Sequence, residues 1–391
     1  MALIFLPSLE HIAAVKVALT VYNDDIVHFL DEFIDTYRYD PDNSFSISKR
    51  QEERIRERKK EIRMKLFTQL PESLVDRVVH ILQPIVAEIH FWVRDHYDII
   101  KHIQKRHITN NLCWKLEGTI DRIKTSQQLI QIESIDGGVR FALASVYIFK
   151  EDVTQLWQSM TEEERENIYR NESDLDVIFW VKWLKEKVAS PWINFIPEDL
   201  DFDLWEEIIS LLNDRSRRIR ISSFYSELDR FIKTRFLHSL WPSVSYIDDL
   251  RLCYYLTAEA ERDEIFHNPG LPYESKTKHL LCFYIDWPLQ TIFLDVVNQM
   301  WYHLTPECFE HCLCYIVHQK LLKSMEDFDY LGLFKDFWNR IPANYKEQFG
   351  EETLIYAHAL LRYDRKTSTL SIAETLEKCR NLTVEDMDIL H

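Results

Sequence analysis

The sequence predicts an all-α protein: helix-turn-helix units stacked as an irregular, degenerate helical-repeat array of solenoid type. Three observations predict it. A six-slot apolar pattern occurs twice, 37 residues apart and without a gap. Phe293, Val296, Val297, Met300, Trp301 and Leu304 fill the first copy; Tyr330, Leu333, Phe334, Phe337, Trp338 and Ile341 fill the second. Steps of three, one, three, one and three mark one face of a helix. The punctuation then repeats: Thr305-Pro306 follows the first copy and Pro342 the second, reading as a stop and a new helix start. Finally, 391 residues contain only 6 glycines. Tight hairpins, phosphate loops and Rossmann turns need glycine, so those folds are disfavoured.

Weaker copies extend the pattern. Phe149, Val153, Leu156, Trp157 and Met160 fill five slots before Thr161, and Val188, Ala189, Trp192, Ile193 and Ile196 fill five before Pro197. Ile62, Leu66, Phe67 and Leu70, and Ile232, Phe236, Leu237 and Leu240, fill four each. A second signature, Glu164 to Asn171, recurs as Glu261 to Asn268. Units of this kind bury their apolar faces against their neighbours. Trp157, Trp301 and Trp338 are therefore expected to be structural, each worth on the order of 3–5 kcal/mol against alanine.

Taken in order, residues 8–39 read as one or two helices, closed by the turn cluster Asp40-Pro41-Asp42-Asn43-Ser44. Residues 49–65 are a charge run with nine basic residues against four acidic ones. Its plain reading is a solvated helix held by i,i+4 pairs; its functional reading is an RNA, acidic-protein or nuclear-import contact. Residues 72–107 carry a continuous apolar stripe with Pro84 as a kink, and the next helix is expected from about 112 to 133. Gly137-Gly138 is the one paired glycine in the chain and reads as its best single domain boundary. The expected divisions are an N-terminal helical segment (1–44), the charged helix with long amphipathic helices (45–136), and a repeat region with a capping tail (139–391).

Composition narrows function. Apolar residues make up 46% of the chain, which excludes disorder over most of it. A net charge of −17 argues against general nucleic-acid binding and for a basic partner segment. No apolar run approaches the ~20 residues that span a bilayer, so no membrane insertion is expected. Seven cysteines without a framework, and an N-terminus without a basic leader, read as a reducing, cytoplasmic setting, with nuclear import through 49–65 as the alternative. Cys308, His311 and Cys312 share one helical face, so a zinc site there is sterically open. The paired C-x-x-C knuckles of a strong zinc signal are missing. H-E-x-x-H, G-x-x-x-x-G-K-[ST], G-x-S-x-G and G-x-G-x-x-G are missing too. The expectation is a non-catalytic chain without a cofactor, with a helical enzyme or metal binder as the third choice.

One short motif points to a particular partner. Ser8-Leu9, Ala13 and Val17 lie at helical spacing. The motif resembles a BC-box, the helix by which substrate receptors of cullin ubiquitin ligases dock elongin. Ala13 stands where the usual cysteine would be, and no Leu-Pro-x-Pro element follows. Leu70-Pro71-Glu72-Ser73-Leu74 looks like the opening of an F-box, and it is also one of the chain's own repeat turns. The leading expectation is an interaction scaffold presenting a helical-repeat surface to a protein or peptide partner. The alternative is a ligase adaptor docking through Leu9, Ala13 and Val17.

Overall fold

The computed structural model describes residues 6–39, 48–171 and 273–379, with single positions scattered between 177 and 261. Among these residues the protein is all-α. The nearest approach to a strand is one isolated bridge between Trp114 and Ile120. The chain divides into two units, Leu6–Ile265 and Phe266–His391.

The N-terminal unit is gathered around one long helix. Helices α1 (Leu9–Val21), α2 (Asn23–Tyr39) and α3 (Lys49–Leu66) precede α4 (Glu72–Ile100). All three pack on α4. Val78, Leu82, Ile85, Val86, Ile89 and Val93 of α4 are buried, against Phe29, Leu30, Phe33 and Ile34 of α2. Alternating three- and four-residue steps in both helices put these side chains on facing stripes. The helix runs through Pro84 without interruption. Polar bonds finish the seam: Tyr37 Oη meets His90 Nε2 at 3.1 Å, and the Phe33 ring stands edge-on to His90 at 4.8 Å.

Beyond α4 come α5 (Lys105–Asn111), α6 (Arg122–Ile130), α7 (Gly137–Val146), α8 (Lys150–Ser159) and α9 (Glu162–Asn171). The unit runs across both boundaries expected from the sequence. Helices α2 and α3 flank residue 44 and share α4, and α7 packs on both α4 and α6. Gly137-Gly138 is not a linker. It forms the first turn of α7, where Asp136 Oδ1 accepts from Gly138 N (2.9 Å) and Val139 N (3.2 Å). A Cβ on Gly138 would lie 3.1 Å from that oxygen, so glycine lets the cap close tightly. The single helix expected over 112–133 is also shortened. Gly118, with φ of 90°, turns the chain so that Lys115 N bonds Thr119 O, and only 122–130 is helical.

The C-terminal unit contains both clean copies of the six-slot pattern. After α10 (Tyr273–Ile285) and a 3-10 turn (Leu289–Ile292), the first copy is α11 (Phe293–Gln299) with a second 3-10 turn (Trp301–His303). Next come α12 (Pro306–Tyr315) and a π-helical segment, Ile316–Leu321. The second copy is α13 (Tyr330–Arg340), followed by α14 (Ala343–Lys346), α15 (Glu351–Arg362) and α16 (Ile372–Cys379). Leu304 and Ile341, the last slots, are buried and extended, with ψ of 123° and 131°. Met160, last slot of the copy at 149–160, is likewise buried and extended. In each case a new helix starts two residues later, so the same local turn occurs three times.

Within the two clean copies five of six slots are buried, and the sixth is the tryptophan. Trp301 and Trp338 are half-buried. Trp301 meets Phe309 edge-on at 5.3 Å, while Trp338 packs on Phe349 at 6.1 Å and carries Lys346 4.9 Å over its ring. Their truncation therefore removes less apolar contact than the sequence pattern implies, whereas Trp157 is buried. The copy at 62–70 departs from the pattern: Ile62 and Leu66 are buried, but Phe67 is 64% exposed. The slot residues of the copies at 188–196 and 232–240, and all but Glu261 of the second Glu164-type signature, lie outside the described residues.

Candidate partner-binding surfaces

Helix α3 starts at a capping box. Ser48 Oγ accepts from Gln51 N at 3.3 Å, and Gln51 Oε1 accepts from Ser48 N at 2.8 Å. It buries only Gln51, Ile55, Ile62 and Leu66. Its charged residues are not held by i,i+4 pairs of their own. Arg63 pairs with Asp76 of α4, Lys59 reaches Gln83 of α4 (3.3 Å), and Arg58 donates to Asp25 of α2 (2.8 Å) and to Glu61 (2.7 Å). The carboxylates of Asp25 and Glu61 hold the Arg58 guanidinium more firmly protonated. The charge run is thus cross-linked to its neighbours, with Lys49, Arg56, Lys60 and Lys65 left exposed.

Between α2 and α3 lies an open cleft of about 890 Å³. Seven carboxylates line it (Asp25, Asp31, Glu32, Asp35, Glu53, Glu57 and Glu61) against three guanidiniums, of Arg50, Arg54 and Arg58. The α2 wall is acidic because the apolar stripe of that helix faces α4 and its polar side faces outward. Lys105 offsets part of it from outside, at 3.1 Å from Asp35. On the α3 wall, Glu53, Glu57 and Glu61 follow one another at four-residue spacing. Arg58 engages Glu61, while Glu53 and Glu57 have no ion-pair partner among the described residues. The cleft is open, polar and net acidic.

The second surface is the outer side of α1. Ser8 caps the helix by accepting from His11 N at 3.1 Å. His11, Ala14, Val15 and Ala18 turn inward. His11 bonds the Glu117 carbonyl at 3.0 Å, and burial moves its pKa down, so its neutral ring donates there. The opposite side presents Leu9, 85% exposed, an exposed Ala13 and a half-buried Val17, with Leu6 also exposed. The three BC-box-like residues therefore do share a solvent-facing stripe.

The soft-ligand candidates divide between core and surface, with Cys282 bonded to both Cys312 and His311. Cys308 and Cys312 are fully buried in the core of the C-terminal unit, while His311 is exposed. Burial first, and the neighbouring Cys282 second, hold the Cys312 thiol protonated. Among the described residues no three His, Cys, Asp or Glu side chains are placed to hold a metal ion. No helix among them is long and apolar enough to cross a membrane.

One cluster escaped the sequence reading. Tyr315 Oη donates to both Asp286 oxygens at 2.9 Å, and Lys320 Nζ donates to Asp286 Oδ1 at 2.6 Å. The buried Lys320 lies 5.4 Å from the Tyr330 ring centre and 5.9 Å from that of Tyr315. The π-helical segment puts it there. In an unbroken α-helix Gln319 would continue the face of Cys308, Cys312 and Tyr315; the wider turn exposes Gln319 and buries Lys320. Compared with family models, curated proteins and solved structures, the chain matches none.

Proposed function

We propose that this chain is a protein-binding module whose α2–α3 cleft receives a basic segment of a partner. The net-acidic cleft carries the reading, supported by an overall charge of −17. Charge of this kind steers encounter and selects partners more than it adds raw affinity. Stacked helical units elsewhere in the chain would then act as scaffold for the interaction surface.

The test is fluorescence anisotropy with a labelled Lys/Arg-rich peptide and an acidic peptide of equal length. The basic peptide binds, and its affinity falls steeply with salt. Replacing Asp35, Glu53 and Glu57 by their amides weakens binding about tenfold, since exposed ion pairs contribute roughly 0.2–1 kcal/mol each. Equal binding of both peptides, or no response to the triple substitution, sinks the reading.

The exposed stripe of α1 favours a second reading, docking of an elongin-type ligase subunit. Leu9 is the first helical residue, where even proline is tolerated, so the informative change is Leu9→Asp. Elongin co-purifies with the unaltered chain and is lost from Leu9→Asp, while α-helical circular dichroism is unchanged. Failure of the unaltered chain to retain elongin removes this reading and leaves the cleft untouched.

A further inference from the structure

Gln290 and Asp327 are 37 residues apart, which is the spacing of the two clean copies. They occupy equivalent positions, three residues before Phe293 and Tyr330, and they bond to each other. Gln290 Nε2 donates to Asp327 Oδ2 at 3.0 Å, and Tyr330 Oη donates to that same oxygen at 2.9 Å. The other two atoms of the pair, Gln290 Oε1 and Asp327 Oδ1, are inaccessible and have no hydrogen-bond partner among the described residues. Both are acceptors when Asp327 is ionised, so neither can satisfy the other. A buried acceptor left unmade forfeits its hydration with nothing in return. One proton satisfies both at once: a protonated carboxyl donates, and an amide oxygen accepts.

We propose that Gln290 and Asp327 form a cyclic acid–amide pair, closed by a proton on Asp327 Oδ1 that bonds Gln290 Oε1, and that this pair clasps the two copies of the helical unit together. The groups facing Asp327 are consistent with a neutral acid. Tyr330, the first residue of the helix that follows it, donates to the unprotonated oxygen. Asp286, at the end of α10, opposes a second negative charge. Lys320, on the π-helical segment, is the cation acting on it among the described residues, and its ammonium is bonded to Asp286. Burial, partly offset by Lys320, moves the Asp327 carboxyl above its ordinary range. A folded-state pKa raised above the unfolded one means the clasp is fully closed below the ordinary carboxylate pKa. It is lost as pH rises through the native value.

The experiment is infrared spectroscopy of the full chain. The C=O stretch of a protonated carboxyl persists in the unaltered chain above the pH at which exposed carboxyls ionise, and is absent from Asp327→Asn. In the unaltered chain it disappears as pH rises, with a midpoint above the ordinary carboxylate range. In Gln290→Leu the band shifts upward, because the carbonyl loses the amide N–H. Hydrogen exchange over 289–292 and 327–333, corrected for intrinsic rate, quickens through that same titration. It does not do so in Asp327→Asn, whose amide repeats both hydrogen bonds without titrating. No band lost in Asp327→Asn, or an unshifted band in Gln290→Leu, overturns the clasp; so does equal pH dependence of exchange in both chains. The unaltered-chain titration decides the matter even if a variant fails to fold.

Discussion

Trp92→Ala lowers the stability of the N-terminal unit by about 3–5 kcal/mol, the cost of removing a large buried aromatic from a packed core. Trp92 lies in the C-terminal third of α4 and is wholly inaccessible. Its ring stacks on His96 at 5.1 Å, and the backbone carbonyl of Trp92 bonds His96 Nδ1 at 2.7 Å. His96 in turn meets Tyr147, just past α7, at 2.5 Å. The substitution therefore opens a cavity beside the contact that ties α7 to α4. The indole Nε1 is buried without an acceptor among the described residues. Trp92→Phe removes that unmet donor along with part of the ring, so its cost is smaller, about 1–2 kcal/mol. Urea unfolding followed by far-ultraviolet circular dichroism checks both, read at the transition of this unit. A Trp92→Phe cost equal to that of Trp92→Ala would show that the unmet donor contributes nothing.

Asp95→Ala is expected to cost a similar 3–5 kcal/mol, for an electrostatic reason. Asp95 is completely buried between two guanidiniums, Arg94 at 3.0 Å and Arg122 at 2.7 Å, both nearly inaccessible. Arg122 is the first residue of α6, so the carboxylate joins that helix to α4. Its removal takes from both guanidiniums the carboxylate they share and weakens the balance of charge in a poorly screened interior. Following Asp95→Ala with Arg122→Met relieves that imbalance and restores part of the loss. The two substitutions are in contact and their effects are not additive. A double variant less stable than Asp95→Ala alone would mean that Arg122 stabilises through packing of its stem.

Much of the fold was legible because apolar spacing is a local property. The helices at 293–304 and 330–341, the stop after Trp-x-x-(Leu/Ile), and the stripe of α4 all follow from three- and four-residue steps. Exposure was less legible. The same spacing that buries Val297 and Phe334 leaves Trp301 and Trp338 at the rim, and buries Leu66 while exposing Phe67. Periodicity tells which way a side chain points, not how far the neighbouring element extends over it. Gly137-Gly138 reads as a break because glycine usually is one, but Asp136 beside it supplies a cap. The cleft was invisible for another reason. Its acids at 25–35 and its charged wall at 50–61 come from separate segments, and the run 49–65 looks basic when read alone. Lys320 was hidden by one wide turn, which shifts the helical register by a residue.

The arrangement around α4 also sets an order of events during synthesis. The apolar faces of α1, α2 and α3 are complementary to a helix that lies after them in the chain. While residues 72–100 are being added, at roughly 5–20 residues per second, those faces have no finished partner for a few seconds. Residues 9–66 thus leave the ribosome with Phe29, Leu30, Phe33 and Ile34 uncovered, an interval in which chaperones or premature aggregation compete for them. Completion of α4 ends that interval, and α7 then docks onto a surface already assembled.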